Sequence, residues 1–146
     1  MHILFVCTGN TCRSPMAAAL ARAEIDTRGL SSQVSVDSCG LAAYPGEPAS
    51  PNAVTAAAEL GGILETHRAK PATPELLESA DRIVCMSQSH AAAITAALPE
   101  LSARVSVFDP SIPDPFGGDL ATYRRTAETL RRAIRKLLDE YSGISE

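Results

Sequence analysis

An apolar run, Ile3-Leu4-Phe5-Val6, ends on Cys7, and five residues later the chain reaches Arg13 followed by Ser14-Pro15. Nothing else in the chain constrains the fold as strongly as this order. The apolar run reads as a strand, Thr8-Gly9-Asn10-Thr11-Cys12 as a tight loop, and Ser14-Pro15 as the start of a helix, with Ser14 as N-cap and Pro15 in the first turn. Gly9 and Asn10 tolerate the positive φ that a loop needs to turn its amides inward. Backbone N–H groups converging at a helix N-terminus make an anion site. The same field favours the thiolate of Cys7. Arg13 offers two parallel, charge-assisted hydrogen bonds to an oxyanion. A thiolate aimed at a bound phosphate is suited to phosphoryl transfer through a covalent cysteinyl-phosphate. The spacing Cys-x5-Arg alone is common by chance; the strand before it and the Ser-Pro after it make it specific.

With 146 residues the chain is expected to form a single domain, 1–146, with a sizeable core. Hydrophobic residues at 45% and charged residues at 21% fit a soluble globular protein and argue against disorder. The net charge of −4 points to neither nucleic acid nor an anionic membrane, so attraction for an anion must be local. The first residues lack a basic region, and the apolar run is too short to span a bilayer. Cys7, Cys12, Cys39 and Cys85 form no zinc pattern, and no metal or other cofactor is expected. Cysteines in apolar, strand-like surroundings suit a reducing, cytoplasmic setting, with Cys39 and Cys85 as core residues.

Strands are expected at 2–7, 33–39, 81–86 and 104–108. Helices are expected at 14–29, 52–60, 74–79, from Ser87 or Ser89 to about Leu98, and from Asp119 to about Tyr141. The last carries an apolar stripe of Leu120, Tyr123, Ala127, Leu130, Ile134, Leu137, Leu138 and Tyr141. Its basic residues between Arg124 and Lys136 read as a solvated face, and so does His67-Arg68-Ala69-Lys70 in the connector. The alternation of strands and helices predicts an α/β fold: a four-stranded parallel sheet with helices on both faces in three layers. A site in such a sheet forms beyond the carboxyl ends of the strands. The Cys7 loop lies there, and so do the Pro/Gly-rich loop carrying Tyr44 and the loop after the fourth strand.

The leaving group of a phosphate ester or phosphoramidate must be protonated as it departs, which requires an acid. Two Asp-Pro pairs compete on the last loop. Asp109 follows the strand directly and suits a turn. Asp114 stands between Pro113 and Pro115, ahead of Phe116-Gly117-Gly118, and the flanking prolines stiffen its backbone. On residue chemistry Asp114 is favoured.

The whole chain resembles the low-molecular-weight protein-tyrosine phosphatase family. Val6-Cys7-Thr8-Gly9-Asn10-Thr11-Cys12-Arg13-Ser14-Pro15 is similar to its N-terminal signature, and Asp114-Pro115 to its late acid motif. The resemblance implies Cys7 as nucleophile, Arg13 as phosphate clamp, and Asp114 as acid and then base. It implies loop amides from Thr8 to Cys12 as the phosphate cradle, Asn10 as a brace of that loop, and Ser14 as a hydrogen-bond partner of the thiolate. Thr11 and Asp114-Pro115-Phe116-Gly117-Gly118 resemble the protein arginine phosphatase branch of the family. Tyrosine-directed members typically carry an aliphatic residue in place of Thr11 and paired aromatics after Asp-Pro. Phosphorylated proteins are then the implied substrates. A Thr hydroxyl suits a planar, polar guanidinium better than aliphatic bulk does. Phe116 and Tyr44 are the only aromatics expected near the site. The resemblance also implies that Cys12 can form a reversible disulfide with Cys7. Ala18 and Cys39 depart from the family pattern, which often has Glu and Ala there.

A tyrosine phosphatase with the same catalytic residues is the alternative. An arsenate reductase on this scaffold would need two further redox cysteines near the third strand, where only Cys85 lies. A non-catalytic phosphate-binding module would not need nucleophile, clamp and acid together.

Overall fold

The computed structural model describes residues 1–145. Four parallel strands form one sheet: β1 (His2–Cys7), β2 (Ser35–Gly40), β3 (Arg82–Cys85) and β4 (Val105–Val107), in the order β2-β1-β3-β4. Five α-helices connect or follow them: α1 (Arg13–Thr27), α2 (Pro51–Glu59), α3 (Pro74–Glu78), α4 (Gln88–Ala97) and α5 (Leu120–Ser145). A 3-10 turn at Pro99–Arg104, not anticipated from the sequence, leads into β4. Each predicted element is present, with ends shifted by a few residues. α1 stops at Thr27, and Gly29 follows at φ 69°. α5 runs past Tyr141.

The pleat of β1 sorts the core into two layers. Ile3, Phe5 and Cys7 face α1, α2 and α5, packing with Met16, Ala17, Leu20, Ala53, Leu130, Ile134 and Leu138. Leu4 and Val6 face the other way, with Ile83 and Cys85, against Leu77 of α3 and Ala91 and Ile94 of α4. β1 sits in the centre of the sheet and is buried on both faces, which is why its sequence is a continuous apolar run rather than an alternating one. Phe5 and Phe108 stack with ring centroids 6.0 Å apart.

The amphipathic reading of α5 holds. Tyr123, Ala127, Leu130, Ile134, Leu137 and Leu138 are buried, while Leu120 and Tyr141 at the ends of the stripe are half-buried. Its basic residues face solvent apart from the half-buried Arg131, which pairs with Glu128, and Arg124 reaches α2 through Glu59 with N···O of 2.7 Å. Among the described residues no helix is long and apolar enough to cross a membrane.

The register of the sheet positions the site. Cys7 pairs with Gly40, and Cys85 with Val107, so the loops after all four strands emerge at one edge. Gly40 allows the first loop to lie directly on the end of β2. A Cβ there would stand 2.5 Å from the Thr8 carbonyl oxygen and 2.9 Å from the Asn10 nitrogen, contacts that backbone cannot relieve.

Candidate active site

The loop between β1 and α1 wraps a buried asparagine. Asn10 has φ 57°, in the left-handed region where Asn is tolerated, and it is fully buried. Its side-chain amide donates to Ser14 Oγ and Ser38 Oγ, both at 2.9 Å, and its Oδ1 accepts from the Lys70 backbone N–H at 3.0 Å. The Asn10 carbonyl oxygen accepts from His67 Nε2 at 2.7 Å. Burial pushes the pKa of His67 below the usual histidine range, and a neutral ring with its proton on Nε2 satisfies this contact. The segment His67–Lys70 is therefore a brace for the loop, not only the solvated face expected from its charge.

Ser14 does not cap α1. The N-cap position falls on Cys12, without a side-chain capping bond, and Ser14 lies buried in the first turn. Its hydroxyl is drawn inward instead, 2.8 Å from Cys7 Sγ. Ser14 Oγ already accepts from Asn10, so its single proton goes to Cys7 or to the Cys39 carbonyl oxygen at 3.3 Å. A thiolate is the stronger acceptor and the nearer atom, so Ser14 is placed to donate to Cys7 Sγ whenever the sulfur carries the charge. The competition between a local cap and a tertiary partner is won here by the partner.

Arg13 is buried, and its Nη1 donates to the Ile112 carbonyl oxygen at 3.0 Å. That bond fastens the guanidinium to the loop after β4. The same loop brings Asp114, whose Oδ2 lies 3.8 Å from Arg13 Nη2. Asp114 Oδ1 accepts the Phe116 N–H at 3.0 Å, which fixes the carboxylate to its own turn. Asp109, the competing acid, lines a different cavity with Arg82, Phe108 and Lys136.

A cavity of about 290 Å³ gathers the predicted residues except the buried Ser14. Cys7, Thr8, Gly9, Asn10, Thr11, Cys12 and Arg13 form its floor, and Tyr44 from the loop after β2 and Asp114 and Phe116 from the loop after β4 complete the lining. Tyr44 and Phe116 are 73% and 78% exposed, so the mouth is flanked by two open aromatics rather than closed by a slot. Two lining residues, Ala42 and Glu47, escaped the sequence reading. The Glu47 carboxylate makes no hydrogen bond or ion pair among the described residues. Its backbone is held by a bond from Ala69 N–H to Glu47 O of 2.7 Å.

All four cysteines are free and buried. Burial pushes the Cys39 and Cys85 thiols up to about 12, so both are inert core residues, as expected. Cys12 differs. Its Sγ lies 3.3 Å from both Ser50 Oγ and Tyr123 Oη.

A nucleophile-capable thiol, a buried guanidinium and a carboxylate around one anion-sized cavity define the equipment of a cysteine-dependent phosphatase. The comparisons with known proteins agree. The family model described as low molecular weight phosphotyrosine protein phosphatase matches residues 2–143, and the chain belongs to that family. The chain is 38% identical over 94% of both sequences to a protein-arginine-phosphatase of Bacillus subtilis. It is 36% identical over 90% of both to a probable low molecular weight protein-tyrosine-phosphatase, EpsP, of Ralstonia nicotianae. Among solved structures it matches a cysteine-to-serine mutant of the YwlE arginine phosphatase with a phosphorylated active site serine. That match has a TM-score of 0.91 and 36% identity, and covers 97% of this chain and 96% of the other.

Proposed function

We propose that this protein hydrolyses phosphoarginine residues in proteins through a cysteinyl-phosphate on Cys7. The observation that carries the choice of side chain is Thr11, whose place on the cavity floor puts a hydroxyl-bearing side chain in the lining. A guanidinium needs polar partners for its N–H groups, and Thr11 and Asp114 offer them. The unpaired Glu47 carboxylate favours a substrate with positive charge near the phosphorus. The name of the Bacillus subtilis relative supports the same reading.

The geometry supports the following steps. Loop amides and Arg13 bind the phosphoryl oxygens. The Cys7 thiolate attacks phosphorus and forms a P–S bond as the P–N bond breaks. The electron pair of that bond goes to the guanidine nitrogen, which takes a proton from Asp114. Water then attacks phosphorus, giving a proton to Asp114, and the P–S pair returns to Cys7. Ser14 and the helix start stabilise the thiolate as leaving group in this second step. The phosphorylated active site serine in the YwlE mutant supports a covalent phosphoryl-enzyme.

Phosphotyrosine is the second reading, favoured by the exposed rings of Tyr44 and Phe116 at the mouth and by the Ralstonia relative's name. Turnover of phosphoarginine and phosphotyrosine peptides, measured side by side, decides between them. A higher kcat/KM for phosphoarginine is expected; preference for phosphotyrosine overturns the proposal.

A further inference from the structure

His90 is a buried titratable group that the steps above leave without a task. It lies on α4, 5% exposed, outside the cavity lining. Both ring nitrogens are bonded to hydroxyls. Nδ1 is 3.0 Å from Ser87 Oγ, which in turn is 2.9 Å from Ser89 Oγ. Nε2 is 2.9 Å from Thr8 Oγ1. Thr8 is the first residue of the loop after Cys7, and it lines the cavity. A line of polar groups thus runs from the start of α4 through the imidazole to the floor of the site.

The direction of this line decides what Thr8 offers to an anion. A neutral imidazole has one N–H and one acceptor nitrogen. With the proton on Nδ1, the Thr8 hydroxyl must spend its own proton on Nε2. With the proton on Nε2, the ring donates to Thr8 Oγ1, Ser87 donates to Nδ1, and the Thr8 proton is free to point into the cavity. A phosphoryl dianion on the loop favours the second arrangement, because it needs donors.

We propose that His90 is a positioning residue that makes the Thr8 hydroxyl a hydrogen-bond donor to the phosphoryl group of the substrate. The assignment rests on the phosphate-loop reading of the site. It adds a side-chain donor to a cradle otherwise built from backbone amides and Arg13. Burial, and next the positive charge of Arg13, push the pKa of His90 below the usual histidine range, while Asp114 pulls it back up. The ring is therefore neutral near pH 7. Below its lowered pKa both nitrogens carry protons, Thr8 is locked as a donor, and a positive charge is added behind the loop. That extra charge is lost as pH rises through the same value.

The test uses p-nitrophenyl phosphate turnover and inhibition by inorganic phosphate. Thr8→Val, which removes the hydroxyl at a site open to solvent, is expected to raise the inhibition constant of phosphate about tenfold, the loss of one hydrogen bond to a charged group. His90→Leu should raise it as much, and the double variant should add nothing further. His90→Gln, which restores a donor, should recover phosphate binding but lose the acid-side step in the pH profile of the inhibition constant. An unchanged constant in Thr8→Val overturns the proposal, whether or not His90→Leu folds. So do additive effects in the double variant. If the unaltered protein neither turns over the ester nor binds phosphate, the phosphatase reading itself fails. If it does both and the variants match it, only the role of His90 fails.

Discussion

The hydroxyl of Ser14 stands 2.8 Å from the sulfur of Cys7, although the two residues belong to different elements, the end of β1 and the first turn of α1. The loop between them must close fully for this contact to form. Asn10 closes it, since one amide nitrogen reaches both Ser14 and Ser38 at 2.9 Å. Ser14→Ala is expected to leave the fold intact and lower kcat about ten- to a hundredfold, the range for a lost hydrogen bond to a charged group. The rate of Cys7 alkylation by iodoacetamide across pH checks the cause. It should fall in the variant; an unchanged rate means that Ser14 does not stabilise the thiolate.

Gly40→Ala should be the most damaging single-methyl change near the site. Its Cβ would meet backbone atoms of Thr8 and Asn10, and neither can rotate away. Overpacking of this kind costs about 1–3 kcal/mol, and here it falls on the phosphate loop. Thermal unfolding together with kcat should show activity falling more than stability. A variant with full activity would show that the loop has room to spare.

Thr11→Ile is expected to move preference toward phosphotyrosine. It replaces a hydroxyl on the cavity floor by apolar bulk without touching Cys7, Arg13 or Asp114. The readout is the ratio of kcat/KM for the two kinds of peptide. A constant ratio would remove Thr11 as the selector.

Glu47→Gln tests the charge of the mouth. Exposed charge pairs contribute about 0.2–1 kcal/mol, so a loss of roughly threefold in kcat/KM is expected for phosphoarginine. For p-nitrophenyl phosphate, whose leaving group carries no positive charge, the rate should hold or rise. Equal losses on both substrates would point to a structural role.

Acid should weaken the fold through His67 as well as His90. Both have pKa values lowered in the folded state, mainly by burial. Below about pH 6.5 the unfolded chain takes up protons that the folded one refuses, so stability is present above that value and is lost as pH falls. Urea unfolding at about pH 7.5 and about pH 5.5 should show the loss. His67→Gln, which keeps a donor for the Asn10 carbonyl, should shrink it. A pH dependence identical to the unaltered protein would clear His67 of the effect.

The sheet, the helices and the floor of the site were legible because their signals are local. Cys7 to Arg13 is one contiguous stretch, and the apolar stripe of α5 repeats at helical spacing. Choosing Asp114 over Asp109 took stiffness and resemblance, and the fold separates them by sending them to different cavities. The rest depended on tertiary placement. His67 lies 57 positions from Asn10 and His90 lies 82 from Thr8, and nothing in either segment marks a partner. Ser14 misled as a cap because its local preference was overruled by a buried thiol. Glu47 carried no motif; only the fold of the loop around Gly46, at φ 87°, brings it to the mouth.

The floor and the mouth of the cavity are made from different parts of the chain. The floor is one continuous loop locked to β2 by Asn10 and by Gly40, where even an added methyl group meets backbone. The mouth comes from two separate exposed segments, one carrying Tyr44 and Glu47 and the other Phe116. Changes there leave the thiol, the guanidinium and their braces untouched. A lineage built on this plan can exchange one phosphorylated side chain for another by altering the rim together with Thr11, while the thiol and the guanidinium are inherited unchanged.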